Sequence, residues 1–150
     1  MSQFFRNNRW LVVVIAALGG LQGCGQASRV PPLPPLHPVS GSVKYRGQPA
    51  AAFRVTFHPL TDIGPTKYHP SAVTDGAGNF QVTALKPNDG APQGEYAVTF
   101  EWPDHFNQPA DPDPVPEIDK LRGVYNRPEQ SRFKIRVNVG ENALPPFELN

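Results

Sequence analysis

Few side chains in this 150-residue chain have the types and spacing that chemistry needs. Histidine is the first candidate, at positions His37, His58, His69 and His105. None has a glutamate three residues on, and no two are separated by one residue. Neither a zinc-binding His-x-x-Glu pair nor a His-x-His chelate is therefore written into the sequence. Tyr68, His69, His58 and Tyr125 could in principle gather around a metal. Against that, the alternation of Phe53, Val55 and Phe57 puts His58 on the opposite, wet face of its strand. Asp104, Asp111, Asp113, Glu117 and Asp119 crowd one segment. Calcium needs several oxygens around a sharp glycine turn, and no such loop signature is present. The segment reads as a solvated acidic loop, and no carboxylate pair has a glycosidase setting. What remains is binding chemistry. Trp102, Phe106 and Tyr125 lie near that loop, where exposed rings could stack on a sugar or grip a partner. Trp102 also keeps phase with Tyr96, Val98 and Phe100, which would make it the end of a core face. The expectation is no catalytic residue, no metal and no cofactor, with Trp102, Phe106 and Tyr125 as candidate contacts for a protein or glycan.

The elements that must position these residues follow from composition. Nineteen prolines and 13 glycines against one Met and one Cys leave no room for a long helix beyond the first residues. The lone Cys24 excludes an internal disulfide. The whole chain carries a net charge of +1 from 14 basic and 13 acidic residues. Arg6 and Arg9 lie in the first 23 residues, which hold no acid, so the remainder has 14 − 2 = 12 basic against 13 acidic residues, or −1. No Lys/Arg run exists, which excludes nucleic acid as the expected partner.

Residues 1–23 read as a signal peptide. A polar start with Arg6 and Arg9 precedes the apolar run Trp10–Leu18, which is too short to span a bilayer comfortably. Leu21-Gln22-Gly23-Cys24 then resembles the lipobox of bacterial lipoproteins. That resemblance implies cleavage before Cys24, diacylation of its sulfur and acylation of the new amino group. Several acyl chains hold a protein to a membrane where one does not, at about 0.8 kcal/mol per buried methylene. Gly25, where Asp would signal inner-membrane retention in enteric bacteria, favours the outer membrane, facing the periplasm or the cell surface. Residues 24–38 form a stalk whose prolines favour polyproline II, reaching roughly 40 Å at about 3.1 Å per residue.

From residue 39 to 150 the pattern alternates with a period of two. Strands are expected at Val39–Tyr45, Phe53–His58, Phe80–Ala84, Glu95–Trp102 and Arg132–Val139, with weaker ones at Ser71–Thr74 and Pro146–Leu149. One apolar and one wet face per strand predicts an all-β fold. The expected form is an antiparallel sandwich of about seven strands, transthyretin-like or immunoglobulin-like. Residues 103–117 lack periodicity and read as a long loop.

Three motifs carry a family resemblance. Val39-Ser-Gly-Ser-Val-Lys-Tyr-Arg-Gly-Gln-Pro-Ala resembles the opening strand and turn of carboxypeptidase regulatory-like domains. Thr74-Asp75-Gly76-Ala77-Gly78-Asn79-Phe80 resembles their Thr-Asp-x-x-Gly-x-Phe hairpin, and Pro92-Gln93-Gly94-Glu95-Tyr96-Ala97-Val98 their Pro-x-Gly-x-Tyr-x-Val segment. Each motif has a structural cause. Asp75 can cap its turn, Gly76 and Gly78 can take positive φ, and Tyr96 can fill the core while its hydroxyl binds nearby backbone. The resemblance implies a fold and no activity. Hydroxyisourate hydrolases of the transthyretin-like group end in Tyr-Arg-Gly-Ser; here Tyr45-Arg46-Gly47 lies near the start of the domain and Gln48 follows, so the match is accidental. Intradiol dioxygenases need a His-x-His that is missing. The expected function is a non-enzymatic binding or structural module, tethered by lipid to the cell envelope, with contacts in residues 102–127. A carbohydrate-binding accessory role is the alternative, and a transthyretin-like enzyme the remoter one.

Overall fold

The structure, a computed structural model, describes residues 33–63, 68–104 and 117–150. Cys24, the leader, most of the stalk and Phe106 lie outside these. The chain builds eleven short strands and one 3-10 turn among the described residues: β1 (Leu36–His37), β2 (Val39–Tyr45), β3 (Gln48–Pro49), β4 (Arg54–Pro59), β5 (Ser71–Val73), β6 (Asn79–Gln81), β7 (Ala91–Pro92), β8 (Gly94–Glu101), β9 (Lys134–Val137), β10 (Asn142–Ala143) and β11 (Phe147–Leu149), with the turn at Pro128–Gln130. All seven expected strands are present. The four added ones are two-residue pairings too short to show a period. Of these, β1 falls inside the composition-defined stalk, where Leu36 and His37 pair with Pro92 and Ala91 of β7.

The fold is an all-β sandwich. One layer is the antiparallel sheet β5-β4-β8-β9. The other is built on β2. Val43 donates its N–H to the Gly78 carbonyl and accepts from the Ala50 N–H, so β6 and β3 share one edge of β2. The opposite edge takes β10 and then β11, and both run parallel to β2. Parallel pairing departs from the purely antiparallel expectation. After β9 the chain crosses from one layer to the other and enters in the same direction as β2, an outcome that strand phase cannot specify.

Alternation decides which side chains are buried. Phe53, Val55 and Phe57 with β4, and Tyr96, Val98 and Phe100 in β8, face Val43, Phe80, Val82, Phe147 and Leu149 from the other layer. Aromatic rings meet edge to face in this core, as in Phe100–Phe147 at 5.2 Å and Phe57–Tyr96 at 6.0 Å between centroids. Truncating one such ring, for example Phe57→Ala, costs about 3–5 kcal/mol. The Tyr96 hydroxyl donates to the Pro92 carbonyl at 2.8 Å, as the sequence suggested. Burial, with Tyr68 nearby, holds that hydroxyl protonated well above the usual phenol range.

Two local readings need correction. Gly78 alone of the hairpin glycines takes positive φ, at 79°; Gly76 does not, because Asp75 already closes the turn by accepting the Ala77 and Asn79 N–H groups. Thr99, placed on a wet face by its phase, is 4% exposed. As the central strand, β8 is covered on both sides, and the His58 ring closes over Thr99 with Nε2 2.8 Å from Oγ1.

Candidate functional site: a cleft between two arginine turns

Two turns of the same kind meet at one end of the sandwich. Between β2 and β3 the chain reverses through Arg46 and Gly47, with Tyr45 paired to Gln48. Both central residues have positive φ, 52° and 77°, the pattern of a type I′ turn. The second turn is Leu121-Arg122-Gly123-Val124. Its central residues have φ of 54° and 71°, and the Val124 N–H reaches the Leu121 carbonyl at 3.2 Å. Such turns favour Asn-Gly, Asp-Gly or Gly-Gly. An L-residue such as arginine in the left-handed region costs about 1–2 kcal/mol. The sequence places arginine at the first central position in both.

The turns flank one open cleft of about 410 Å³, lined by Tyr45, Arg46, Lys120, Arg122, Val124 and Tyr125 among others. Two of its three cations lie over rings. The Arg46 guanidinium is 5.1 Å from the Tyr45 centroid, and Lys120 Nζ is 5.0 Å from that of Trp102. Each contact contributes about 0.5–1 kcal/mol at an exposed site and fixes the position of a charge. Among the described residues, no carboxylate forms an ion pair with any of the three.

The second turn is held by Asp119. Its carboxylate accepts the Trp102 N–H at 2.8 Å, the Leu121 N–H at 2.9 Å and the Gly123 N–H at 2.9 Å. Next to it the Lys120 N–H reaches the Trp102 carbonyl, and Asp104 and Ile118 exchange two further bonds. Glu117 forms a two-point pair with Arg54 at 2.8 and 3.1 Å. Of the five acids read as a solvated loop, Asp104 and Asp119 therefore clamp the two ends of that loop together, and Glu117 ties its far end to β4. Asp111 and Asp113 lie outside the described residues.

The expected contact residues are separated by this arrangement. Trp102 stacks on Phe53 at 5.1 Å and meets the edge of Tyr45 at 5.9 Å, so it forms the floor behind the cleft. Tyr125 stands at the cleft itself, with its ring against Phe133 and its hydroxyl donating to the Asn150 carbonyl at 2.7 Å. The histidine group is divided too. His58 and His69 come together at 4.7 Å, and burial, then His69, hold the His58 pKa below its usual value. The Tyr68 hydroxyl is buried without a hydrogen-bond partner among the described residues, and Tyr125 packs on Phe133 instead. No group of three or more His, Cys, Asp or Glu able to hold a metal occurs among the described residues.

A more voluminous groove of about 700 Å³ runs along β2, β5 and β6 past Ser40, Ser42, Ser71, Asn79, Gln81 and Thr83. It holds hydroxyls and amides, and its one charged group, Asp75, is engaged in its own turn. Charge is concentrated at the arginine turns, which makes their cleft the stronger candidate. Strand phase does not single out Arg46, Lys120 and Arg122, because exposed cations have no period. The available signal was the repeated Arg-Gly dipeptide, which only tertiary structure brings to one place.

No family model matches the chain, and no curated protein matches it. Among solved structures it is similar to a DUF3823 family protein from Parabacteroides merdae ATCC 43184, at 16% identity and a TM-score of 0.41 over 78% of this chain. It is also similar to a 9R-lipoxygenase from Cyanothece PCC8801, at 15% identity and a TM-score of 0.40 over 79% of this chain. The matched parts are 47% and 17% of those chains, so this chain spans less than half of either. Neither likeness says what this chain does.

Proposed function

We propose that this protein is a non-catalytic binding module of the bacterial cell envelope, lipid-anchored through Cys24, with the arginine-turn cleft as its contact surface. The observation that carries the reading is the cleft. Fixed cations and phenol rings on a rigid sandwich are binding groups, and no nucleophile–base pair stands among the cleft's described side chains. The leader supports the tether: a basic start, a short apolar run, then Leu21-Gln22-Gly23-Cys24. The prolines that follow would lift the domain off the membrane. The carboxypeptidase regulatory-like resemblance of residues 38–101 fits a module that presents loops from a sandwich.

Palmitate labelling of the expressed chain tests the anchor. Label should enter the wild type and not Cys24→Ala, which should leave the membrane fraction. A photo-cross-linker at Val124, which is 71% exposed, tests the contact surface. Capture from Val124 and not from the equally exposed Val139 supports the reading; unlabelled, membrane-free wild type or capture from neither position overturns it.

A further inference from the structure

The two arginine turns point to a ligand class. We propose that the cleft binds the carboxylate of an acidic sugar residue in a uronate-bearing glycan, held by Arg46, Lys120 and Arg122; this rests on the cleft being the contact surface.

Three observations converge. First, Arg46 and Arg122 both occupy left-handed backbone, at φ of 52° and 54°. Asparagine or glycine would hold either turn at lower cost, so both arginines sit at strained backbone positions, as residues of functional sites often do. Secondly, none of the three cations forms an ion pair with a described carboxylate side chain. Asp119, next to Lys120 in the chain, spends its oxygens on the N–H groups of Trp102, Leu121 and Gly123. A carboxylate entering the cleft would meet guanidinium forks able to bind it at two points. Thirdly, the cleft suits a ring better than an extended peptide. Tyr45 and Tyr125 line it. Both edges of β2 beside the cleft, which an acidic peptide could otherwise extend, are taken, since Lys44 and Tyr45 already pair with β3 on one side and β11 on the other. Its volume of about 410 Å³ matches one or two sugar rings.

The test uses the full-length chain in neutral detergent micelles, titrated calorimetrically with trigalacturonate. Neutral galactotriose and an equally charged glutamate-rich peptide are the comparators. Trigalacturonate should bind at least tenfold tighter than either, and more weakly as salt rises. Arg46→Asn and Arg122→Asn should each weaken binding about tenfold without lowering the melting temperature. Equal affinity for galactotriose, equal or tighter affinity for the peptide, no binding of trigalacturonate, or unchanged binding in both variants overturns the proposal. If cross-linking from Val124 still captures a partner while trigalacturonate fails, the contact surface stands and the ligand class falls.

Discussion

Arg46 and Arg122 occupy the same position in two type I′ turns, each followed by glycine, and they flank one cleft from opposite ends of the sequence. The relationship separates stability from function at these residues. Asparagine tolerates the left-handed region better than arginine does. Arg122→Asn is therefore expected to stabilise the protein by about 1 kcal/mol. Arg46→Asn should give less, because it also loses the contact with the Tyr45 ring, about 0.5–1 kcal/mol. Urea unfolding of the variants measures both. A loss of stability in Arg122→Asn would show that the side chain supports the fold.

Asp119 is expected to be sensitive to substitution. Asp119→Ala leaves the Trp102, Leu121 and Gly123 N–H groups without their acceptor. The expected cost is about 2–4 kcal/mol, since hydrogen bonds to a charged group contribute about 1.5–3 kcal/mol each and some are replaced by water. Trp102 should become more accessible, seen as stronger fluorescence quenching by iodide in a Trp10→Phe background. Unchanged stability and quenching would mean that the loop ends are held elsewhere.

The buried tyrosine gives a prediction at high pH. Tyr96→Phe removes the donor to the Pro92 carbonyl and should cost about 1–2 kcal/mol. In the wild type, burial keeps the Tyr96 hydroxyl protonated in the folded state above the ordinary phenol range. The unfolded chain ionises first, so stability falls as pH rises through about 10. Spectrophotometric titration should show one tyrosine ionising only on unfolding. Ionisation of all four with the fold intact would contradict this.

Two groups act together on the acid side. Burial opposes ionisation of Asp89, but the main-chain N–H groups of Ala84, Lys86 and Leu85 prevail and hold its pKa below the usual carboxylate value. Its contribution is present above that value and is lost as pH falls through the lowered one. His58, with its pKa lowered by burial and by His69, resists protonation in the folded state. The unfolded chain takes that proton first, so stability falls as pH drops through the ordinary histidine range. Denaturation midpoints should therefore decline in two stages. Asp89→Asn should flatten the lower stage, and His58→Gln the upper.

Strand phase made most of the fold legible. Phe53, Val55, Phe57, Tyr96, Val98 and Phe100 are buried as alternation required, and the Asp75 turn and the Tyr96 tie follow from local motifs. The parallel placement of β10 and β11 was not legible, because it depends on where the chain crosses between layers. The cleft was legible only in part. Tyr125 stands at it and Trp102 behind it, but its cations are 76 residues apart at the extremes of Arg46 and Arg122. An Arg-Gly dipeptide reads as a turn in either place, and nothing local says that the two turns share a cleft. Asp119 read as loop charge for the same reason: its three partners become neighbours only when the loop closes.

A cleft that serves as the contact surface should be occupied in the cell. The most direct measurement is arginine modification with phenylglyoxal, in intact envelopes and on the purified protein, read by mass spectrometry. The exposed Arg127, which lies outside the cleft, is the internal reference. Arg46 and Arg122 should both be protected in the envelope and become reactive on purification, while Arg127 stays constant. Equal reactivity of Arg46 and Arg122 in the two states would contradict the account.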